Sequence, residues 1–449
     1  MTDDPPPGSG KAVPRTRLSR LGGFGRMAGG VVGNVMLSGA RELASGKRPQ
    51  MRDLMLTPGN ATRVAEQLSQ LRGAAMKLGQ MISMDAGDVL PAELTAILAK
   101  LRDKAHHMPP RQLDQVLSRE WGHDWRMRFR HFQAHPIAAA SIGQVHRATL
   151  PDGRVLAIKV QYPGVADSID SDIDNVATLL RISGLLPKSL DIAPLLDEAK
   201  RQLREEADYR REAEQMALYA DRLADDPRFV VPRPDAEFST GHVLAMTFID
   251  SQPIERLDEA PQVDRDRVMA TLIELVLREL FEFGVMQTDP NFANYRYQPQ
   301  DDRLVLLDFG ASRAVDPTVV AGYRTLFRAG LANDPDAVRE AARAIGFLGE
   351  AALAQHRPLV DRMIGVILSE LGGDGPFDFG DRAFVGVLRE QGMEMAEDRS
   401  TWHIPPVETL FVQRKISGTA LLGARLKARI DVKSMAASWI DYRGTAASK

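Results

Sequence analysis

The spacing of apolar and polar positions divides this chain into a few short strands and many long helices. Val155-Leu-Ala-Ile-Lys-Val160 is an apolar run rich in strand-forming side chains, with one charge, Lys159, inside it. Gly241-His-Val-Leu-Ala-Met-Thr-Phe-Ile-Asp250 is a second strand and ends in a polar, proline-containing link. A third, Leu304-Val-Leu-Leu307, stops at Asp308. Elsewhere the period is helical. From Thr57 to Asp85, Pro58 and Gly59 open a stripe of Val64, Leu68, Leu71, Ala75, Leu78 and Ile82. A charge-dense stretch from about Ile192 to Leu223 reads as one long helix. After Pro317 helical spacing returns at Val319 to Leu331 and continues to the C-terminus, apart from a Gly/Asp/Pro-rich loop at Gly372–Gly380.

Polar residues that interrupt this pattern carry the candidate chemistry. Gln287-Thr-Asp-Pro-Asn-Phe-Ala-Asn294 places Asn294 five positions after Asp289, and the strand that follows ends in Asp308-Phe-Gly310. D-x-x-x-x-N followed by D-F-G is the spacing of a kinase catalytic loop and its metal-binding aspartate. In that chemistry Asp289 accepts a hydroxyl proton or orients the attacking oxygen, while Asn294 and Asp308 hold Mg²⁺ against nucleotide phosphates. Such a site needs a lysine on an upstream strand, and Lys159 stands in one, close to V-A-I-K. Pro151-Asp-Gly-Arg154 before it is a hairpin turn of the Asp-Gly type. A phosphate loop is expected before that turn. There the chain reads Ala138-Ala-Ala-Ser-Ile-Gly-Gln-Val145, with one glycine where an ordinary kinase loop has three. Ala138, Ala139, Ala140 and Ser141 are the expected phosphate-loop residues, and alanine restricts how closely backbone can approach a phosphate.

These motifs together resemble the UbiB-type (aarF-domain) atypical kinases, and in the Q-T-D-P-N form the coenzyme Q branch shared by mitochondria and bacteria. Two further marks fit: Lys77-Leu-Gly79-Gln80 matches the family's K-x-G-Q motif, and Glu206-Ala-Asp208 its E-x-D motif. The resemblance runs from about residue 58 to about residue 440. It implies an α+β, two-lobed protein-kinase-like fold, with a small β-rich N-lobe, a helical C-lobe and a helical N-terminal extension. It also makes Lys77, Gly79 and Gln80 site residues, on a helix packed over the nucleotide site where a protein kinase admits its peptide. The expected division is 1–57 as a basic N-terminus, 58–130 as the helical extension, 131–250 as the N-lobe and 251–445 as the C-lobe.

Glu212 is the candidate partner that aims Lys159 at the phosphates. On one helix, Asp208 and Glu212 share a face, but Glu206 lies about 200° round from Asp208 at 3.6 residues per turn. A single site receives both acids only if this turn is distorted or bridges two partners. Met246, Thr247, Phe248 and Ile249 are the expected hinge, offering backbone to adenine. No A-P-E follows Gly310, which argues against a protein substrate.

Composition narrows the reading. A chain of 449 residues with 44% hydrophobic content supports two or three domains. A net charge of −3, from 57 basic and 60 acidic residues, gives no reason to invoke nucleic acid. The absence of cysteine excludes disulfides and thiolate chemistry, and the nine histidines show no metal-binding spacing. Between Lys11 and Arg26 lie five basic residues and no acid, and the glycine-rich apolar stretch Met27–Ala40 follows. That stretch is shorter than the roughly 20 residues a bilayer span takes. A membrane-surface contact and an ordinary buried or flexible helix both remain open for it.

The sequence therefore leads to an atypical kinase-like ATPase binding ATP or ADP with Mg²⁺, in support of ubiquinone biosynthesis. The expected setting is cytoplasmic, peripheral on the inner face of the membrane, with anionic lipid and quinone-biosynthesis proteins or precursors as partners. A small-molecule kinase and a non-catalytic nucleotide- and lipid-binding scaffold stay open as alternatives. The oligomeric state is open, a homodimer being one option.

Overall fold

The computed structural model describes residues 107–182, 193–373, 375–398, 401, 403 and 405–442. The helix expected over Thr57–Asp85 and the apolar stretch Met27–Ala40 lie outside them. In chain order the described elements begin with α1 (Pro110–Trp121), β1 (His131–Phe132), β2 (Ala138–Ala139), β3 (Gly143–Thr149) and β4 (Val155–Gln161). Three helices follow, α2 (Val165–Ile182), α3 (Ala193–Glu206) and α4 (Tyr209–Arg222), then β5 (Phe229–Val230), β6 (Val243–Thr247) and β7 (Gln252–Pro253). Next come α5 (Gln262–Arg278), β8 (Val285–Gln287), β9 (Tyr295–Gln298), β10 (Arg303–Leu306) and β11 (Ser312–Ala314). The chain continues through α6 (Pro317–Leu331), α7 (Pro335–Ala344), α8 (Glu350–Leu371), β12 (Phe377–Asp378), α9 (Ala383–Glu397), α10 (Val407–Leu426), β13 (Arg429–Ile430) and α11 (Val432–Ile440). The α+β expectation holds.

Two compact units divide these elements. One takes the described residues up to Glu214 together with Arg233–Phe248, and the other takes Gln215–Pro232 and Ile249 onward. The first unit is built on an antiparallel sheet in the order β1-β3-β4-β6, with β2 also pairing β3. The Asp-Gly turn expected before Lys159 forms: Leu150 N–H donates to Arg154 O at 2.8 Å, and Gly153 takes φ +92°. Alternation along β4 sends Leu156, Ile158 and Val160 into a core with Leu113, Leu117, Trp125, Phe129 and Phe238. Trp121 joins that core's edge, its Nε1 donating to Phe238 O at 3.0 Å. Lys159 and Gln161 alternate to the opposite face of the strand.

The second unit contains a sheet in the order β5-β10-β9-β7, the separate pair β8–β11, and helices around a core of Val276, Leu280, Phe281, Met286, Tyr323, Ile345 and Val412. Asp316 caps α6 by accepting from Thr318 N at 2.7 Å, with Pro317 at the first helical turn. Only six residues separate Gly310 from Pro317.

The structure corrects two sequence expectations. The stretch read as one helix to Leu223 is two, because Ala207 and Asp208 leave the helical path. Gln161 Nε2 donates to the Ala207 carbonyl at 2.9 Å, and Asp208 Oδ1 accepts from Arg210 N and Arg211 N at 3.1 and 3.2 Å, capping a new helix. The C-terminal half also contains a two-stranded sheet, β12 with β13. Two-residue strands some fifty positions apart leave no period to read.

Gly143 marks where the sheet meets α4. A Cβ there would press into the Val160 carbonyl oxygen and stand 2.8 Å from the Tyr209 hydroxyl. The carbonyl is part of the β3–β4 ladder and has no room to retreat. Gly143→Ala is expected to lower unfolding free energy by about 2 kcal/mol, read from the denaturant midpoint. An unchanged midpoint would show that the sheet relaxes freely here.

Candidate active site

In the first unit the geometry centres on Lys159. Its ammonium donates to both carboxylate oxygens of Glu212, at 2.7 and 2.8 Å, and lies 5.1 Å from the centroid of the Tyr209 ring. Both side chains are removed from water, Lys159 at 7% and Glu212 at 1% exposure. Glu212 stands in the first turn of α4, where the helix dipole also favours a carboxylate.

The break before α4 resolves the problem of Glu206 and Asp208. They belong to different helices and do different things. Glu206, at the end of α3, accepts from Ser141 Oγ at 2.9 Å and so holds the tip of the alanine-rich segment. Asp208 is exposed and caps α4, which places Glu212 one turn further on. The shared face expected for Asp208 and Glu212 is therefore replaced by a cap and a buried partner.

The alanine-rich segment is a tight hairpin. Ala138 and Ala139 pair with Val145 and Gln144, and Ala140 N donates to Gly143 O at 2.9 Å. Its lone glycine is required by packing against β4 and Tyr209. On β3, Gln144 and His146 point to the buried side, and neither is exposed. Gln133 O can only accept, so His146 Nδ1 donates to it at 2.9 Å and Nε2 accepts from Gln144 Nε2 at 2.9 Å. Gln144 Oε1 in turn accepts from Met108 N at 2.7 Å. This relay ties the hairpin to the chain entering α1. Two polar side chains on the inward phase of a strand were the sequence signal for it.

Of the four hinge candidates, Met246 and Thr247 end β6 and Phe248 and Ile249 follow it, the chain passing from one unit to the other after Phe248. Met246 is buried in the strand, pairing with Ala157, whereas Thr247 is exposed. Thr247 N donates to Arg233 O and Phe248 N to Val155 O, both at 3.0 Å. These two N–H groups are already engaged, so an adenine contact through them competes with the fold. Lys77, Gly79 and Gln80 lie outside the described residues.

In the second unit, β8–β11 and the β9–β10 hairpin bring three predicted residues onto adjoining loops. Thr288 N and Oγ1 both donate to Ala311 O, at 3.1 and 2.8 Å, fixing the loop just before Asp289. Asn294 Nδ2 donates to Asp289 O at 3.0 Å, and Leu307 N donates to Asn294 O at 3.1 Å. Asp308 Oδ1 accepts from Gly310 N at 3.0 Å. Phe309 between them is buried, its ring 4.9 Å from that of Tyr219. Asp289, Asn294 and Asp308 stay partly exposed, each followed by a buried residue, Pro290, Tyr295 and Phe309. The donor set fits Mg²⁺. Asp308 has a carboxylate, and Asn294, its amide nitrogen committed to Asp289 O, keeps a carboxamide oxygen; both are hard oxygen donors of the kind Mg²⁺ takes.

A family model for the ABC1 atypical kinase-like domain matches residues 100–342. The chain belongs to the ABC1 atypical kinase family. Mitochondrial atypical kinase COQ8 of Saccharomyces cerevisiae is 37% identical over 421 residues, 93% of this chain and 84% of that protein. Its Caenorhabditis elegans counterpart, also mitochondrial, is 37% identical over 428 residues, and there the chain spans 56% of a longer relative. A Mycobacterium tuberculosis protein solved in complex with erythromycin is similar at a TM-score of 0.59 and 26% identity, over 85% of this chain and 96% of that one. This ABC1 chain thus has a kinase-like fold, with a β-sheet unit and a helical unit.

Sequence reasoning missed Gln144, His146 and Gln161, as well as Tyr219, Glu279 and Lys415 in the second unit. His146 yields a pH signature. Burial, aided by the nearby His135 and His107, lowers its pKa from 6.5 to about 4 against the opposing bond to Gln133. The folded value lies below the unfolded one, so this stability is full above pH 6.5 and is lost as pH falls toward 4. Between pH 7 and pH 5 the loss is about 2 kcal/mol. His146→Gln is expected to flatten that slope in urea titrations at the two pH values, and an unchanged slope would place the acid sensitivity elsewhere.

Proposed function

We propose that this chain is an atypical kinase-like ATPase that binds Mg-nucleotide and supports ubiquinone biosynthesis. The observation that carries the reading is the buried Lys159, held at both carboxylate oxygens by Glu212. A lysine kept charged there costs desolvation and earns its place by meeting an anion. Phosphate is the anion that the rest of the chain suits. Lys159 contacts the α/β-phosphates, and Ala138, Ala139, Ala140 and Ser141 line the phosphate side of the hairpin. Met246 to Ile249 face adenine, with carbonyls as the available groups where N–H groups are engaged. Asn294 and Asp308 would hold Mg²⁺, which supplies neutralisation of the phosphate charge when bound. Asp289 orients the attacking oxygen and takes its proton.

The short link from Gly310 to Pro317 supports an acceptor other than a peptide. Water is the first acceptor to consider, and a small hydroxyl compound is the second. The pathway assignment rests on the relatives named COQ8 and on the resemblance in Q-T-D-P-N. Anionic lipid and quinone precursors are the proposed effectors, acting at a membrane surface. Among the described residues no helix is long and apolar enough to cross a membrane.

The test is Mg²⁺-dependent ATP hydrolysis by the purified chain, with and without anionic vesicles, beside Asp289→Asn. Turnover is expected to rise with lipid and to fall at least about a hundredfold in the variant, with nucleotide still bound. Turnover that ignores Asp289→Asn would overturn the catalytic assignment, and nucleotide binding without turnover would favour the scaffold reading.

A further inference from the structure

The second unit buries a charged pair that the chemistry above does not use. Lys415 on α10 is 1% exposed, and Glu279, where α5 gives way to a π-helical turn over Glu279–Phe283, is fully buried. Their charged atoms are 3.0 Å apart. Desolvation makes an isolated ion pair a poor way to stabilise a core, so its other contacts carry the information.

Those contacts end on both sides of the Asp289 loop. Glu279 Oε1 accepts from the backbone N–H of Gln287 at 3.2 Å, two residues before Asp289. Lys415 Nζ donates to the Tyr295 hydroxyl at 3.0 Å, one residue after Asn294. Tyr219, whose ring packs on Phe309, donates its hydroxyl to the same Glu279 oxygen at 2.8 Å. One ion pair therefore grips the entry of the loop, its exit and the phenylalanine beside Asp308. Gln287, Tyr219 and Tyr295 are themselves buried, so water offers these groups no easy substitute. The π-helical turn fits this use, since such irregularities recur where a helix must aim one side chain.

We propose that Lys415 and Glu279 are positioning residues that hold Asp289 and Asn294 in register for nucleotide chemistry, an inference that rests on the functional reading above. Burial alone would pull the Lys415 ammonium down, but the facing Glu279 carboxylate and Tyr295 hydroxyl outweigh it and keep the lysine charged.

The test compares Lys415→Met, Glu279→Gln and the double variant in the full chain. Each single change strands a buried charge and is expected to lower thermal stability, while two matched neutral side chains recover it. In the double variant kcat stays at least about tenfold down with KM for ATP within about threefold, because the loop and not the nucleotide contact is disturbed. Amide exchange at Gln287 and through Asp289–Asn294 also speeds at least about tenfold. Recovery of kcat and loop exchange together with stability would reduce the pair to a structural one and overturn the proposal. Exchange reads the loop without turnover. An inactive wild-type chain would thus refute the functional reading alone, while loop exchange still decides this one. If the double variant does not fold, Tyr295→Phe removes only the hydroxyl that Lys415 reaches: faster loop exchange supports the proposal, and unchanged exchange overturns it.

Discussion

A lysine ammonium in the middle of a β-sheet can stay charged only if a carboxylate is brought against it, and much of the first unit follows from that constraint. Glu212 must arrive at Lys159 from a helix that starts in the right place. Asp208 starts it, by capping α4 through the N–H groups of Arg210 and Arg211. Gln161, on the same face of β4 as Lys159, pulls the Ala207 carbonyl out of the preceding helix and so permits the restart. Tyr209 then packs beneath the ammonium and against Gly143, where a side chain would not fit. A cap, a kink, a glycine and an aromatic ring are local consequences of one ion pair.

The second unit meets a different constraint, since its candidate site residues stand on loops and not inside a strand. Loops hold a reactive geometry only when a rigid scaffold fixes their ends. Short strand pairs do this for Asp289 and Asp308. The amide of Asn294 closes the arrangement by donating to Asp289 O, across the loop that joins the two residues. Beneath these loops lies a second buried charged pair, Lys415 with Glu279. Both units thus place a desolvated lysine–glutamate pair behind partly exposed polar residues.

The sequence was most readable where the signal is local. The apolar run around Lys159, its Asp-Gly turn and the five-residue spacing of Asp289 and Asn294 all depend on neighbours in the chain. What was not legible depends on partners far away. The break at Ala207 is made by Gln161, 46 positions earlier, so periodicity alone predicted a continuous helix, with Glu206 about 200° round from Asp208. Three alanines and a serine have a composition that favours helix, and only pairing with Gln144 and Val145 makes them a hairpin. Lys415 sits in a helix whose polar residues look solvated one by one; its burial appears only when Glu279, 136 positions away, is in place.

The central claim is that Lys159, aimed by Glu212, meets nucleotide phosphate. Its most direct test is equilibrium binding of Mg-ATP and of adenosine, in parallel, to the wild-type chain and to Lys159→Met. The account predicts that the variant loses at least about tenfold in ATP affinity, or about 1.4 kcal/mol, while adenosine affinity is unchanged. Equal losses for both ligands, or no loss for either, would contradict it.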